Sequence, residues 1–213
     1  MSNFVEVKAS EQSIRQRKLV YGVGINDANY VTQPTVNGRR ATCPYYRKWI
    51  NVLVRCHSTK FQTRCHTYIG ATVCDEWLTF SVFKTWMIKQ EWEGLELDKD
   101  IIKPGNKHYS PETCCFVPQA LNALLNDNSA TRGDHPKGVC FDKRSGKYLT
   151  QCNYKGKNKS LGYYKTVSAA SLRYRLFKSQ LVRRLAEEQE DGRIKAGMIN
   201  HAKIILYKKG ETV

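Results

Sequence analysis

Behind Pro44 the apolar residues Tyr46, Trp49, Ile50, Leu53 and Val54 fall at i, i+3, i+4, i+7 and i+8. Proline lacks the N–H that a first helical turn leaves unbonded anyway, so the pattern predicts a helix that opens at Pro44 and buries one face. Trp77, Phe80, Phe83 and Met87 recur every three or four residues behind Asp75, which suits an N-cap, and predict a second helix ending before Gly94. The period then changes. Leu95 and Leu97 alternate as in a short strand, Pro104-Gly105-Asn106 marks a turn, Cys115-Phe116-Val117 predicts a second strand, and Pro118 starts another helix.

Residues 126–136 are polar, contain Gly and Pro, and carry no apolar period, which places an interdomain linker at 131–136. Beyond it, residues 138–141, 147–154 and 159–164 predict three short strands joined by turns rich in Lys and Arg. Thr166 is placed to cap a helix in which Ala170, Tyr174, Phe177, Leu181 and Leu185 form one apolar stripe. In the final segment, 191–213, the run Ile204-Ile205-Leu206-Tyr207 predicts a returning strand, and residues 1–40, weakly periodic, predict an irregular N-terminal arm. The fold class expected is α+β: an N-terminal helical region with a strand–loop–strand–helix unit, then a three-stranded antiparallel sheet on one long helix.

Charge sharpens this division. The 213 residues carry 35 Lys and Arg against 19 Asp and Glu, a net charge of +16. Residues 131–213 hold 19 of those cations and 7 of the anions, so the cationic surface belongs to the C-terminal part. A hydrophobic share of 41% excludes a disordered basic tail. A folded, strongly cationic protein calls for an anionic partner, and duplex DNA, with a charge every ~1.7 Å, is the first candidate. No apolar run is long enough to span a bilayer, and the first 18 residues are charged where a secretory leader is apolar; a soluble protein of the host-cell cytoplasm is expected.

In a reducing compartment the eight cysteines are expected as thiols. Cys43, Cys56, His57, Cys65, His66 and Cys74 are numerous enough for zinc, but none has the paired two-to-four-residue spacing of a structural site, so structural Zn²⁺ is not expected. The strand–loop–strand–helix unit offers a different chemistry. A carboxylate leaving its first strand, Asp98, and an amide one turn into its helix, Asn122, are hard oxygen donors that suit Mg²⁺ or Mn²⁺, with Asp100 in reserve.

Leu97-Asp98-Lys99-Asp100-Ile101, Gly105-Asn106, Tyr109-Ser110-Pro111 and Asn122 together resemble the motif of phage-type HNH endonucleases, and the stretch from Cys43 through Trp86 resembles the region ahead of it. The resemblance implies a ββα-metal module over 41–130, with Asp98 and Asn122 as metal ligands. Two positions depart from it. Lys99 stands where the family has its general-base His, and Thr113 where it has the Asn that orients that His. His108, in the loop of the hairpin, is the alternative base, and Lys99 a phosphate-holding cation. Residues 137–178, with Lys137-Gly138-Val139-Cys140-Phe141-Asp142, Gly146-Lys147-Tyr148 and Leu161-Gly162-Tyr163-Tyr164, are similar to the Apetala/ethylene-response-factor DNA-binding domain. That likeness implies a sheet laid in the major groove, a domain over 137–190, and Arg144, Lys147, Lys155, Lys157 and Lys159 as DNA contacts.

The function expected is a metal-dependent DNA endonuclease directed by a sheet-reading domain. Two rivals stand beside it: a DNA-binding protein that keeps a degenerate nuclease fold without cutting, and a protein that acts on an acidic partner such as RNA polymerase.

Overall fold

A computed structural model of the chain describes residues 4–36, 38–126 and 134–207. The fold is mixed α+β and divides into two compact units, one of residues 1–100 and 105–117, the other of 101–104 and 118–213. The division falls at Pro118, so the helix after the predicted hairpin groups with the C-terminal sheet. Of the expected linker 131–136, residues 131–133 lie outside the described ones.

In the first unit, α1 (Glu11–Arg15) and the hairpin of β1 (Thr35–Val36) and β2 (Arg39–Arg40) precede α2 (Pro44–His57) and α3 (Thr59–Arg64). Then come β3 (Thr72–Val73), a 3₁₀ turn over Asp75–Leu78, α4 (Phe80–Ile88), β4 (Glu96–Asp98), β5 (His108–Tyr109) and β6 (Cys115–Val117). Pro44 opens α2 as predicted, and Tyr46, Trp49, Val52, Leu53 and Cys56 are its buried face. Asp75 does not cap α4. The 3₁₀ turn is interrupted at Thr79 because Ile25 accepts a hydrogen bond from the Phe80 amide and donates its own to the Leu78 carbonyl, pulling the chain out of helical geometry. Helix α4 accordingly starts at Phe80 and ends at Ile88, before Gly94 as expected.

Aromatic packing holds this unit together. Trp49, Trp77, Phe80 and Phe83 are almost wholly buried, Trp77 and Phe83 meet edge-on at 5.0 Å, and the Trp49 indole donates to the Trp77 carbonyl at 2.6 Å. Residues of the expected arm join this core: Ala28 and Tyr30 are buried in it and Val20 and Val23 pack against it. The Arg17 guanidinium fastens the segment by donating to the carbonyls of Asn26, Ala28 and Tyr30.

The second unit holds α5 (Gln119–Leu125), the strands β7 (Val139–Asp142), β8 (Lys147–Tyr154) and β9 (Lys157–Tyr164), and helices α6 (Val167–Glu187) and α7 (Gly192–Tyr207). The sheet order is β7-β8-β9, antiparallel throughout. Thr166 caps α6 by accepting from the Ala169 amide, as predicted. Thr150, fully buried on β8, donates to the Ala170 carbonyl at 3.1 Å and ties sheet to helix. Residues 204–207 are not a strand but the last turn of α7. The face that decides this is upstream: Ile194, Gly197, Met198 and Ala202 are buried at helical spacing, and Gly197 sits so close to the Ile101 carbonyl that no side chain fits.

Candidate functional site

The hairpin of the first unit pairs β4 with β6 antiparallel, setting Leu97 opposite Phe116 and Asp98 opposite Cys115. Leu97 and Phe116 sink into the aromatic core, which fixes where β4 ends. Asp98 is then held at the edge of that core, 9% exposed, and accepts a hydrogen bond from the Asp100 amide at 2.8 Å. Lys99 is equally buried; its ammonium lies 3.1 Å from the Asp100 carboxylate and 5.9 Å from the centre of the Tyr68 ring. The ammonium is thereby engaged as one half of an ion pair at the strand end.

The loop between Lys99 and His108 is closed by one amide. Asn106 donates to the carbonyls of Lys99 at 2.7 Å and His108 at 2.6 Å, so both ends of the loop lie within reach of a single side chain. Thr113 hydroxyl donates to the same His108 carbonyl at 2.7 Å and accepts from the Ser110 amide. The His108 ring is exposed, and its Nδ1 shares a 2.9 Å hydrogen bond with Thr72 Oγ1, set beside it by the parallel pairing of β3 and β5. The hydroxyl thus fixes the ring's orientation.

Behind this loop lies a charge that sequence reasoning missed. The Arg55 guanidinium donates to the Tyr109 hydroxyl at 3.2 Å and stacks over Tyr68 at 5.3 Å. Burial works against its charge, but Tyr109, Tyr68 and the Asp98 carboxylate more than offset that and hold its pKa above the ordinary value. Burial also drives the Tyr109 hydroxyl far up and lifts the Cys56 thiol to about 12. Arg55 stood inside the resembling stretch, but nothing local marks it as a partner of Tyr109, 54 positions away.

Asn122 belongs to the second unit, on α5, where its carboxamide oxygen accepts from Asn126 at 2.8 Å. Among the described residues no three His, Cys, Asp or Glu side chains gather as a metal-binding group. The eight cysteines are free thiols. A hard divalent ion fits the chemistry of Asp98, a carboxylate fixed by its own turn, since Mg²⁺ keeps most of its waters and needs one or two protein oxygens.

The three-stranded sheet of the second unit has two unlike faces. Val139, Thr150 and Cys152 point to α6 and are buried. The alternate positions, among them Lys147, Asn153 and, by register, Asn158, Ser160 and Tyr163 of β9, form a solvent-exposed face. Arg144, Lys147, Lys155, Lys157 and Lys159 are all exposed. They do not share one side. Lys159 pairs in register with Cys152, and its ammonium lies 5.1 Å over Phe177 of α6, so Lys159 and, two residues on, Lys157 belong to the helix side. Arg144 sits in the β7–β8 turn, where Asp142 accepts from its amide, and Lys147 begins β8 on the open face.

Lys155 and Gly156 form the two-residue β8–β9 turn, both with positive φ, 51° and 72°. Such a turn favours Asn-Gly or Gly-Gly, and a lysine held there costs about 1–2 kcal/mol. Its ammonium is kept at the tip, 5.4 Å over the Tyr154 ring. Tyr148 packs against Phe141 and His135. Among the described residues no helix is long and apolar enough to cross a membrane. Comparison with protein-family models, curated proteins and solved structures finds no match to this chain.

Proposed function

We propose that the chain is a metal-dependent DNA endonuclease of the HNH type, acting in the host-cell cytoplasm, whose C-terminal sheet grips the duplex while the Asp98 hairpin carries the chemistry. The observation that supports the catalytic part is the Asn106 clamp, which ties the strand end bearing Asp98 and Lys99 to His108, oriented by Thr72. His108 takes a proton from the attacking water, the work that the salt-bridged Lys99 cannot do. Lys99 and Arg55 supply fixed positive charge near the Asp98 end of the hairpin. Mg²⁺ or Mn²⁺ held by Asp98 would act as a Lewis acid for the charge developing on the phosphate.

Support for the binding part is the concentration of cations in residues 131–213 together with an exposed polar sheet face and a strained turn lysine. One observation favours the non-cutting rival. The Asp98 carboxylate lies close enough to the Arg55 guanidinium to help hold its pKa up, so the carboxylate already faces a positive charge.

Plasmid nicking in Mg²⁺ or Mn²⁺ separates the two. Cutting by the wild type, abolished by Asp98→Ala and by His108→Ala, is the expected result. Retained DNA with no nicking in either metal would overturn the catalytic assignment and leave the DNA-binding protein.

A further inference from the structure

The sheet of the second unit is uneven. Strand β7 pairs only with Lys147 to Thr150 of β8, and the last bond on that side runs from the Gln151 amide to the Gly138 carbonyl at 2.8 Å. Beyond it β8 continues to Tyr154 with β9 on one side and no strand on the other. A strand edge left unpaired is commonly covered by a helix or loop, and here α5 lies beside it. Strand edge, α5 and α6 enclose a cavity of about 610 Å³, within the roughly 300–1,000 Å³ of small-molecule sites.

Lysines reach this cavity from three separate elements: Lys137 ahead of β7, Lys155 in the β8–β9 turn and Lys178 on α6. Lys178 is only 4% exposed, so its charge is built into the wall and is not part of the solvated surface. Burial pushes the Cys152 thiol up while Lys178 and Lys137 pull it back, which places both ammonium groups near one buried point. Lys137 donates to the Asn126 carbonyl, a bond that uses one of its three N–H groups. No Asp or Glu is among the described residues that line the cavity, so an anion seated there is attracted from three sides.

Charge selects an anion, and the remaining lining selects its body. Ala120, Ala123 and Leu124 of α5 form an apolar wall, and Tyr154 and Tyr174 add ring surface. Gln119, Gln151, Asn153 and Asn158 supply carboxamides, which offer donors and acceptors together, as a nucleobase edge does. The Asn153 amide donates to Asn158 Oδ1 at 3.0 Å and steadies two of them. A bare inorganic anion would leave the apolar wall and the amides unused.

We propose that this cavity binds a nucleoside phosphate, with the phosphate among Lys137, Lys155 and Lys178 and the base between the α5 wall and the carboxamides. It is a small-molecule site, goes beyond the proposed function and does not depend on duplex binding.

Isothermal titration calorimetry of the full-length protein at about 0.15 M salt, where loose surface attraction is screened, tests it. The probes are the common nucleoside 5′-monophosphates, their nucleosides and inorganic phosphate. At least one monophosphate should bind about tenfold or more tightly than both its own nucleoside and inorganic phosphate. Ala123→Trp fills the cavity from an exposed position of α5 without changing any charge, and should weaken that binding about tenfold or more. Lys137→Gln should weaken it too, whereas Lys143→Gln, an exposed lysine outside the cavity, should not. The comparison of probes uses the unaltered protein, so it does not hinge on the folding of a variant. Monophosphates that bind no tighter than inorganic phosphate, a folded Ala123→Trp that binds like the wild type, or equal losses in Lys137→Gln and Lys143→Gln would overturn the proposal. A protein that holds a DNA duplex but no monophosphate would overturn it and leave the DNA-binding reading standing.

Discussion

Gly138 joins the sheet to α6 at a place where nothing larger fits. Its φ is +79°, and a Cβ built on it would run into the Tyr174 ring and lie 2.7 Å from the Gln151 carbonyl oxygen. Tyr174 is buried, and Gly138 itself accepts the Gln151 amide at 2.8 Å, so neither neighbour is free to retreat without losing packing or a strand contact. For Gly138→Ala the left-handed backbone costs about 1–2 kcal/mol and the overpacking about 1–3 kcal/mol more, about 2–5 kcal/mol in all. Gly146→Ala is the matched control, since Gly146 has φ +64° with open space around it and pays only the backbone part. Urea denaturation followed by circular dichroism should show Gly138→Ala less stable than Gly146→Ala by about 1–3 kcal/mol. Equal losses in the two variants would refute the close approach of Gly138 to Tyr174, and with it this description of how sheet and helix meet.

Thr150→Val keeps shape but removes the buried donor to Ala170, and should cost about 1–3 kcal/mol in the same denaturation assay. Lys155→Asn relieves the strained turn, so stability should rise by about 0.5–1 kcal/mol while the salt slope of duplex binding flattens by about 0.9. The Asp191 carboxylate accepts hydrogen bonds from the Arg193 side chain and amide, which hold its pKa below the ordinary value. Its stabilisation is therefore present above the unfolded-state pKa and lost as pH falls through the folded one. Asp191→Asn should cost about 0.5–1 kcal/mol at neutral pH, shrinking toward zero in acid below the carboxylate range.

The elements that the chain announces by itself are those whose signals are local. Pro44 and its apolar period mark α2, Thr166 and its stripe mark α6, and the three strands of the C-terminal sheet lie within a residue or two of where alternation and turn residues place them. What escaped depends on distant partners. The bonds from Ile25 that interrupt the chain at Thr79 join positions more than 50 apart, and no capping rule at Asp75 can foresee them. Helix α7 was hidden by Ile204-Ile205-Leu206, a strand-like run, because its buried face mixes Ile194 and Met198 with Gly197 and Ala202, two small residues that look neutral in isolation.

The same holds for the candidate sites. Asp98 and His108 were visible as residue types, but the Thr72 that orients His108 comes from a parallel pairing across 36 positions. Charge alone grouped Lys147 with Lys159, and only register put them on opposite sides of the sheet.

The claim on which the rest depends is that the cationic second unit grips the phosphates of a duplex. Its most direct test is the affinity of the full-length protein for a DNA duplex measured across a range of salt concentrations. Contacts from Arg144, Lys147 and Lys155 alone predict that log K falls with log salt at a slope of about −3 or steeper. A flat dependence, or no binding at low salt, would contradict it.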